Sequence, residues 1–199
     1  MQKSKGAAEA LTAVIMTGVL IGVVGSVYLW GLPLIQKNKD IASLHAAESF
    51  MVDLSNKIKD VVNSAGRQRI AVSAPGILNF DGSKFQFTVK TDGTIYSTEG
   101  QIPLGRNGCS PDTGVFGVQD SATLCVSSTK IGDKFETVYT LKFIQLDTEG
   151  VDSRKIVFSG RPNAGGETRV ITLDNTGTTK EPSGSKIITK ANIAVDIGV

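Results

Sequence analysis

The feature that most constrains this chain is an uncharged, apolar segment near its N-terminus. Residues 10–35 contain no Asp, Glu, Lys or Arg over 26 consecutive positions. As an α-helix this segment would be about 39 Å long, enough to cross a hydrocarbon core of roughly 30 Å with some tilt. A cleaved secretory signal peptide has an apolar region of only about 7–15 residues. The segment is therefore predicted to be a membrane-spanning helix that stays attached to the protein.

A short basic stretch precedes this segment, and a carboxylate stands at its edge. The first six residues, MQKSKG, end in Lys5 and Gly6, and Ala7 follows them. Glu9 lies at the very start of the apolar run. A carboxylate costs roughly 3 kcal/mol near the centre of a bilayer and less near its surface. We therefore expect Glu9 to have a function or a partner.

Glycines interrupt the apolar run at a spacing that suits contact between helices. Gly18 and Gly22 form a GxxxG pattern, which lets two helices approach closely in a membrane. Glycine is also common in membrane helices generally, so the pattern fits an ordinary anchor as well as a packing face. We expect Gly18 and Gly22 to contribute to assembly if the helix packs against other copies.

Together these residues resemble the class III signal peptide of type IV pilin-like proteins, most closely the archaeal branch. The resemblance covers residues 1 to about 60. It implies cleavage by a prepilin peptidase between Gly6 and Ala7, followed by assembly of the helix with copies of itself into the core of an extracellular filament. An assembly ATPase and a polytopic platform protein are the further partners that it implies, and the cell surface is the implied location.

Glu9 departs in position from the bacterial members of that class. They usually begin the mature chain with Phe and place the glutamate two residues later, where this chain has Leu11. The resemblance still implies that Glu9 could meet the new ammonium group of Ala7 in an adjacent copy. Opposite charges attract strongly once they have lost their water.

The apolar run ends in residues that disturb a helix. Pro33 cannot donate a backbone hydrogen bond, and Gly31 precedes it. A bend or a short non-helical stretch is expected near Gly31–Pro33, with Pro33 as the helix kink.

A second helix is predicted beyond this point, ending near Ala65 and Gly66. Its apolar residues recur at steps of three and four, which is typical of an amphipathic helix with one buried face. His45 lies beside that face and is expected to be structural rather than a metal ligand. The apolar positions are Ile41, Leu44, Ala47, Met51, Leu54, Ile58 and Val61.

From residue 66 onward the pattern changes to short strands. Residues 84–90 alternate apolar and polar side chains, and Asp92-Gly93 predicts a hairpin to a strand at 94–98. Seven or eight strands are expected, in an antiparallel sandwich or a barrel-like head, so the fold class is α+β. Further predicted strands are residues 135–146, 155–159, 169–173 and 187–197, and predicted loops are 160–166 and 175–185.

These patterns divide the chain into four parts. Residues 1–6 are the predicted leader and 7–36 the hydrophobic helix. Residues 37–65 form the predicted amphipathic helix, and 66–199 the extracytoplasmic head.

The chain has two cysteines, Cys109 and Cys125, with 15 residues between them. Outside the cytoplasm two cysteines at this spacing are expected to form one disulfide, although two free buried thiols remain the alternative. A zinc site would need more ligands than the neighbouring sequence offers.

Composition excludes several classes of function. Twenty-one basic residues balance nineteen acidic ones, so no nucleic-acid partner is expected. One histidine, two cysteines and the absence of nucleophile-elbow, phosphate-loop and HExxH motifs predict a protein that is not an enzyme and needs no cofactor or metal.

Structural and binding functions remain. The first hypothesis is a pilin, with an archaellin as a close variant. The alternatives are a membrane-tethered β-domain that binds a partner, a minor pilin, and a pseudopilin-like piston of a secretion machine. The start of the mature chain separates the pilin from the tethered module, because only the pilin hypothesis requires that it begin at Ala7.

Overall fold

The computed structural model describes residues 3–148, 152–161, 170–184 and 186–198, with side chains from Glu9 onward. One helix, α1 (Lys3–Ser64), is followed by eleven strands in the described part of the chain. The fold class is therefore α+β, as predicted. The chain divides into two compact units, Met1–Lys39 and Asp40–Val199.

Helix α1 continues without interruption through Gly31 and Pro33. The prediction of a non-helical stretch there is wrong, while a bend within the continuous helix stays a prediction. Proline removes only one backbone hydrogen bond, and apolar residues flank it on both sides. In an apolar environment every further unpaired backbone group costs several kcal/mol, which favours a helix that continues past a proline.

The strands form two sheets. The six-stranded sheet has the order β1-β10-β11-β9-β8-β5, and the five-stranded sheet has the order β2-β3-β7-β6-β4. Neighbours are antiparallel except for the β9–β11 and β5–β8 pairs, which are parallel. The strand bounds are β1 Arg67–Ala71, β2 Ile77–Phe80, β3 Lys84–Thr91, β4 Ile102–Pro103, β5 Thr113–Val115, β6 Ala122–Ile131, β7 Lys134–Phe143, β8 Gln145–Asp147, β9 Asp152–Gly160, β10 Val170–Ser183 and β11 Lys186–Gly198.

A single core joins the second half of α1 to both sheets. The predicted apolar stripe is confirmed, because six of its seven residues are fully buried and only Ile41 is partly exposed. The ring of Phe50 on α1 lies 5.2 Å from Phe87 of β3. Phe158 of the six-stranded sheet packs edge-on against Phe85 of the five-stranded sheet, with ring centroids 5.4 Å apart. The inner faces of the two sheets therefore pack against each other through aromatic contacts.

The predicted hairpin at Asp92-Gly93 is wrong. Strand β3 pairs with β2 and β7, and residues 94–98 form bends rather than a strand. The Gly93 backbone N–H donates to Asp40 Oδ2 at 2.9 Å, which ties the chain to α1 at the point where the hairpin would turn. This contact between distant residues overrides the local turn preference.

Two other strand predictions differ from the structure. Residues 135–146 do not form one long strand, because the chain passes from one sheet to the other at the buried Ile144, between β7 and β8. The predicted loop at 175–185 is largely strand, since β10 continues to Ser183 in a ladder with β11. The predicted loop at 160–166 and the residue Arg169 lie mostly outside the described residues.

Candidate membrane and assembly segment

The first part of α1 exposes an unbroken apolar surface. Its large hydrophobic side chains between Leu11 and Ile35 are 56–78% exposed. Burying apolar surface is worth roughly 25 cal/mol per Å², so a helix of this composition would be strongly unfavourable in water. This part of the helix is long and apolar enough to cross a membrane, and none of its most apolar window is buried. It is a candidate membrane anchor or signal.

Two hydroxyl groups of this segment are satisfied within the helix. Thr17 Oγ1 donates to the Ala13 carbonyl oxygen and Ser26 Oγ to the Gly22 carbonyl oxygen, each at 2.8 Å. Such bonds to the preceding turn leave no unpaired hydroxyl donor at these two sites. The segment can therefore lie in lipid or against other apolar helices at little polar cost.

The predicted assembly residues lie on this exposed helix. A Cβ atom added at Gly18 or Gly22 would meet nothing within 4 Å. These glycines therefore make no close contact within the described chain that would explain them. Glu9 is exposed, and the predicted cleavage site at Gly6 and Ala7 is described by its backbone alone. Cleavage after Gly6 and pairing of Glu9 with a second copy stay predictions.

In the second unit, polar contacts hold α1 against the sheets. Tyr139 is fully buried, and its hydroxyl donates to the Leu44 carbonyl oxygen at 2.8 Å. Tyr96 donates to Glu48 Oε2 at 3.1 Å. Burial, and then the adjacent Tyr96, raises the pKa of Tyr139 far above its usual value, so this hydroxyl keeps its proton.

The C-terminus of α1 is capped from the six-stranded sheet. Asn175 Nδ2 donates to the Val61 carbonyl oxygen at 3.0 Å, which satisfies one of the carbonyl groups left open at a helix end. Ala65 follows the helix with φ of 51°, the left-handed conformation in which helices commonly end. The predicted end of the helix near Ala65 and Gly66 is confirmed.

The predicted disulfide is present between Cys109 and Cys125, whose Cα atoms are 5.8 Å apart. The loop that it closes is also attached to α1. Lys59 Nζ lies 2.7 Å from Asp120 Oδ2, and Asn107 Nδ2 donates to the Asp120 carbonyl oxygen at 2.6 Å. Partial burial acts to raise the pKa of Asp120, but the hydrogen bonds from Lys59 and from the Ala122 and Ser121 backbone, with the charge of Lys59, together outweigh it, and the pKa is lowered.

The head also carries a groove that the sequence did not reveal, with a volume of about 710 Å³. Its floor is apolar, and its rim includes Arg154, Lys155 and Lys180. The Arg154 guanidinium lies over the ring of Phe116, 4.7 Å from the centroid. The residues meet because β8, β9, β10 and β11 are brought together by long-range pairing. No local sequence signal marks such a groove.

In the part of the chain that the structure describes, few side chains that could bind a metal ion lie close together. No group of three or more His, Cys, Asp or Glu residues there could hold a metal ion. His45 is exposed, and its Nδ1 lies 3.7 Å from Glu48 Oε2.

No family model, no curated protein and no solved structure matches this chain in comparisons with known proteins. What is established is a long apolar N-terminal helix followed by a β-rich domain, an organisation compatible with a pilin-like protein.

Proposed function

We propose that this chain is a structural subunit of a type IV pilus-like filament, assembled through its N-terminal helix. The observation that carries the proposal is the apolar surface of residues 10–35, whose large side chains are exposed and which lies three residues after the leader-like sequence ending at Gly6. The membrane would cover this surface in the precursor, and the helices of other copies would cover it in the filament. The prepilin peptidase, assembly ATPase and platform protein are proposed partners on the same basis.

The transfer from lipid to protein needs more than apolar burial. Lipid tails are about as apolar as leucine, so the hydrophobic effect does not distinguish the two environments. Close packing at Gly18 and Gly22 would add van der Waals contact that lipid does not supply equally well. Contacts between heads and the work of an assembly motor would contribute the remainder.

Glu9 offers the sharpest test of this assembly step. In the proposal its carboxylate pairs with the Ala7 ammonium of an adjacent copy after leader cleavage. Glu9→Ala and Glu9→Gln should abolish filaments or reduce them strongly, because both remove the charge from a desolvated pair. Glu9→Asp is the matched control that keeps the charge, and it should retain part of the assembly.

The measurement is the filament mass sheared from cells, with total protein and the Cys109–Cys125 disulfide as checks on folding. Normal filaments from Glu9→Ala would remove the role given to Glu9. If the wild-type chain forms no filaments when the assembly machinery is present, the proposed function is wrong.

A second candidate is a membrane-tethered binding module, favoured by the groove at Arg154 and Phe116. In that case the apolar helix would act only as an anchor, and the chain would remain in the membrane with its first six residues uncleaved. The start of the mature chain distinguishes the two functions.

A further inference from the structure

The groove continues the inner face of the six-stranded sheet past the core. Along β11, Ile193 and Val195 are buried in the core, and Thr189 and Ala191 lie further along the same face of the strand. These two side chains are short, so the middle of the groove is lower than its sides. A concave surface with apolar side chains and a few polar groups is the usual form of a small-molecule site.

The strand register places two basic side chains on opposite sides of Thr189. Thr189 pairs with Lys180 of β10 on one side and with Arg154 of β9 on the other. In the next row of the same face, Ala191 pairs with Thr178 and Ile156 in the same way. Neighbouring strands are about 4.8 Å apart, which puts the Cα atoms of Lys180 and Arg154 about 10 Å apart. Two cations can therefore reach one ligand from its two sides.

Both cations are available to a ligand. Arg154 and Lys180 are exposed, and neither makes an ion pair or a side-chain hydrogen bond with another described residue. The Arg154 guanidinium lies over the Phe116 ring, 4.7 Å from its centroid. Stacking on an aromatic face fixes the plane of a guanidinium and leaves the N–H donors at its edge free to bind a carboxylate in bidentate fashion.

Nearby carboxylates do not cancel this positive charge. The lining residues include three cations, Arg154, Lys155 and Lys180, and one carboxylate, Asp152. Described carboxylates that adjoin lining residues in sequence are each paired with a lysine already. These pairs are Asp120 with Lys59, Asp147 with Lys186 and Glu181 with Lys190. The groove therefore suits an anionic ligand.

Uncharged polar side chains in the groove narrow the class of anion. None of their hydroxyl or amide groups bonds to another described residue. An acyl chain would cover these groups without pairing them, which costs free energy. A sugar offers hydroxyl groups that pair with them, and the C–H face of its ring suits Ala191 and Ile156. The uncharged polar residues are Asn63, Ser121, Thr148, Thr178 and Thr189.

We propose that this groove binds a carboxylate-bearing sugar, with the carboxylate between Arg154 and Lys180 and one face of the ring on Ala191 and Ile156. A free sugar acid and one unit of an acidic polysaccharide share this chemistry. The site goes beyond the proposed function and does not depend on assembly, so it belongs equally to a filament subunit and to a tethered module.

Binding to the full-length protein in nanodiscs of phosphatidylcholine tests the proposal. The probes are polygalacturonate, galacturonate, neutral dextran and polyglutamate, and isothermal titration calorimetry measures their affinities. The wild-type chain should bind the two sugar acids and neither dextran nor polyglutamate. Polygalacturonate that binds more tightly per sugar unit than galacturonate would identify a polysaccharide as the ligand, and equal affinities would identify the free sugar acid.

Substitutions in the groove test the assigned contacts. Arg154→Gln should weaken polygalacturonate binding about tenfold, because it removes a charged bidentate donor. Thr189→Val keeps the shape of the side chain and should weaken binding about threefold, because it removes one hydrogen bond. Arg106→Gln is the matched control, since Arg106 is exposed and lies outside the groove, and it should leave binding unchanged. Thermal unfolding and the Cys109–Cys125 disulfide check that each variant is folded.

Three results would overturn the proposal. They are the absence of binding to both sugar acids, equal losses from Arg154→Gln and Arg106→Gln, and polyglutamate binding as tight as that of polygalacturonate. The second and third would mean that charge alone attracts the polymer. None of them bears on the filament function, and a chain that forms no filaments would leave the sugar site standing.

Discussion

At the scale of single residues, Tyr139 links the packed part of α1 to the five-stranded sheet. Its hydroxyl is fully buried and bonds to the Leu44 carbonyl oxygen at 2.8 Å. Tyr139→Phe should lower the free energy of unfolding by about 1–2 kcal/mol, because it leaves polar groups without a partner in the core. Tyr96→Phe is the control and should cost less, since Tyr96 is only partly buried. Chemical denaturation of the detergent-solubilised protein measures both, and equal costs would contradict this account.

Asp147 gives a pH-dependent prediction. Hydrogen bonds from Gln145, Ser153 and Lys186 lower its pKa from 3.8 to about 2. A carboxyl group whose pKa is depressed in the folded state stabilises the protein above its unfolded-state pKa and loses that effect as the pH falls through its folded-state pKa. The difference in unfolding free energy between wild type and Asp147→Asn should therefore be constant near pH 6, shrink between about pH 4 and 2, and disappear below. A difference that stays constant down to pH 2 would rule out this role.

At the scale of elements, the end of α1 carries an avoidable strain. Ala65 has φ of 51°, a conformation that costs an L-residue with a Cβ atom roughly 1 kcal/mol. Ala65→Gly should therefore raise the free energy of unfolding by up to about 1 kcal/mol. The greater freedom of glycine in the unfolded chain offsets part of this gain. Ala65→Val is the opposing variant and should destabilise. Thermal unfolding of both variants provides the measurement, and a stabilising valine would contradict the assigned cap.

The disulfide makes a second prediction at this scale. Replacing Cys109 and Cys125 together by serine opens a loop that reaches α1 through Lys59 and Asp120. The free energy of unfolding should fall by about 3 kcal/mol. Reduction of the wild-type protein should give a similar loss in urea unfolding. A loss below about 1 kcal/mol would mean that the loop is held chiefly by its noncovalent contacts.

Elements with a local periodic signal could be predicted from the sequence. The buried stripe of α1 and the alternation of β3 depend on neighbouring residues, and both were predicted correctly. Strand β6 was not predicted, although Gly132-Asp133, which follows it directly, is a hairpin signal. The polar residues 175–185 predicted a loop, yet pairing with β11 continues β10 as strand to Ser183. Ser183 lies opposite Lys186 at the end of this ladder, so the two strands form a hairpin, which the polar composition of the segment concealed.

At the scale of the whole molecule, the order of an apolar helix and then a β-rich domain was predictable, while the groove was not. The Arg154 groove requires four strands and the end of α1, so it depends on the sheet order. The proposed assembly residues, by contrast, were identified from the sequence. Glu9, Gly18 and Gly22 are visible in the sequence, and their proposed partners are other copies of the chain.

Gly22 supplies a prediction for assembly. Gly22→Leu places a bulky side chain on the face where close helix contact is proposed, although a Cβ atom there meets nothing within the chain. The variant should insert into the membrane normally and give fewer filaments, because the helices could no longer approach closely. Val23→Leu, a neighbouring change that keeps the bulk, is the control. Equal filament yields from the two variants would remove the packing role of Gly22.

The central claim is that the apolar helix exchanges lipid for other copies of itself after the leader is removed. The most direct test is mass spectrometry of the N-terminal peptide from filaments sheared off cells that make this chain. The account predicts that the chain is the main filament component and that its first residue is Ala7. Met1 or Gln2 at the N-terminus of a chain found only as a monomer in the membrane would contradict it.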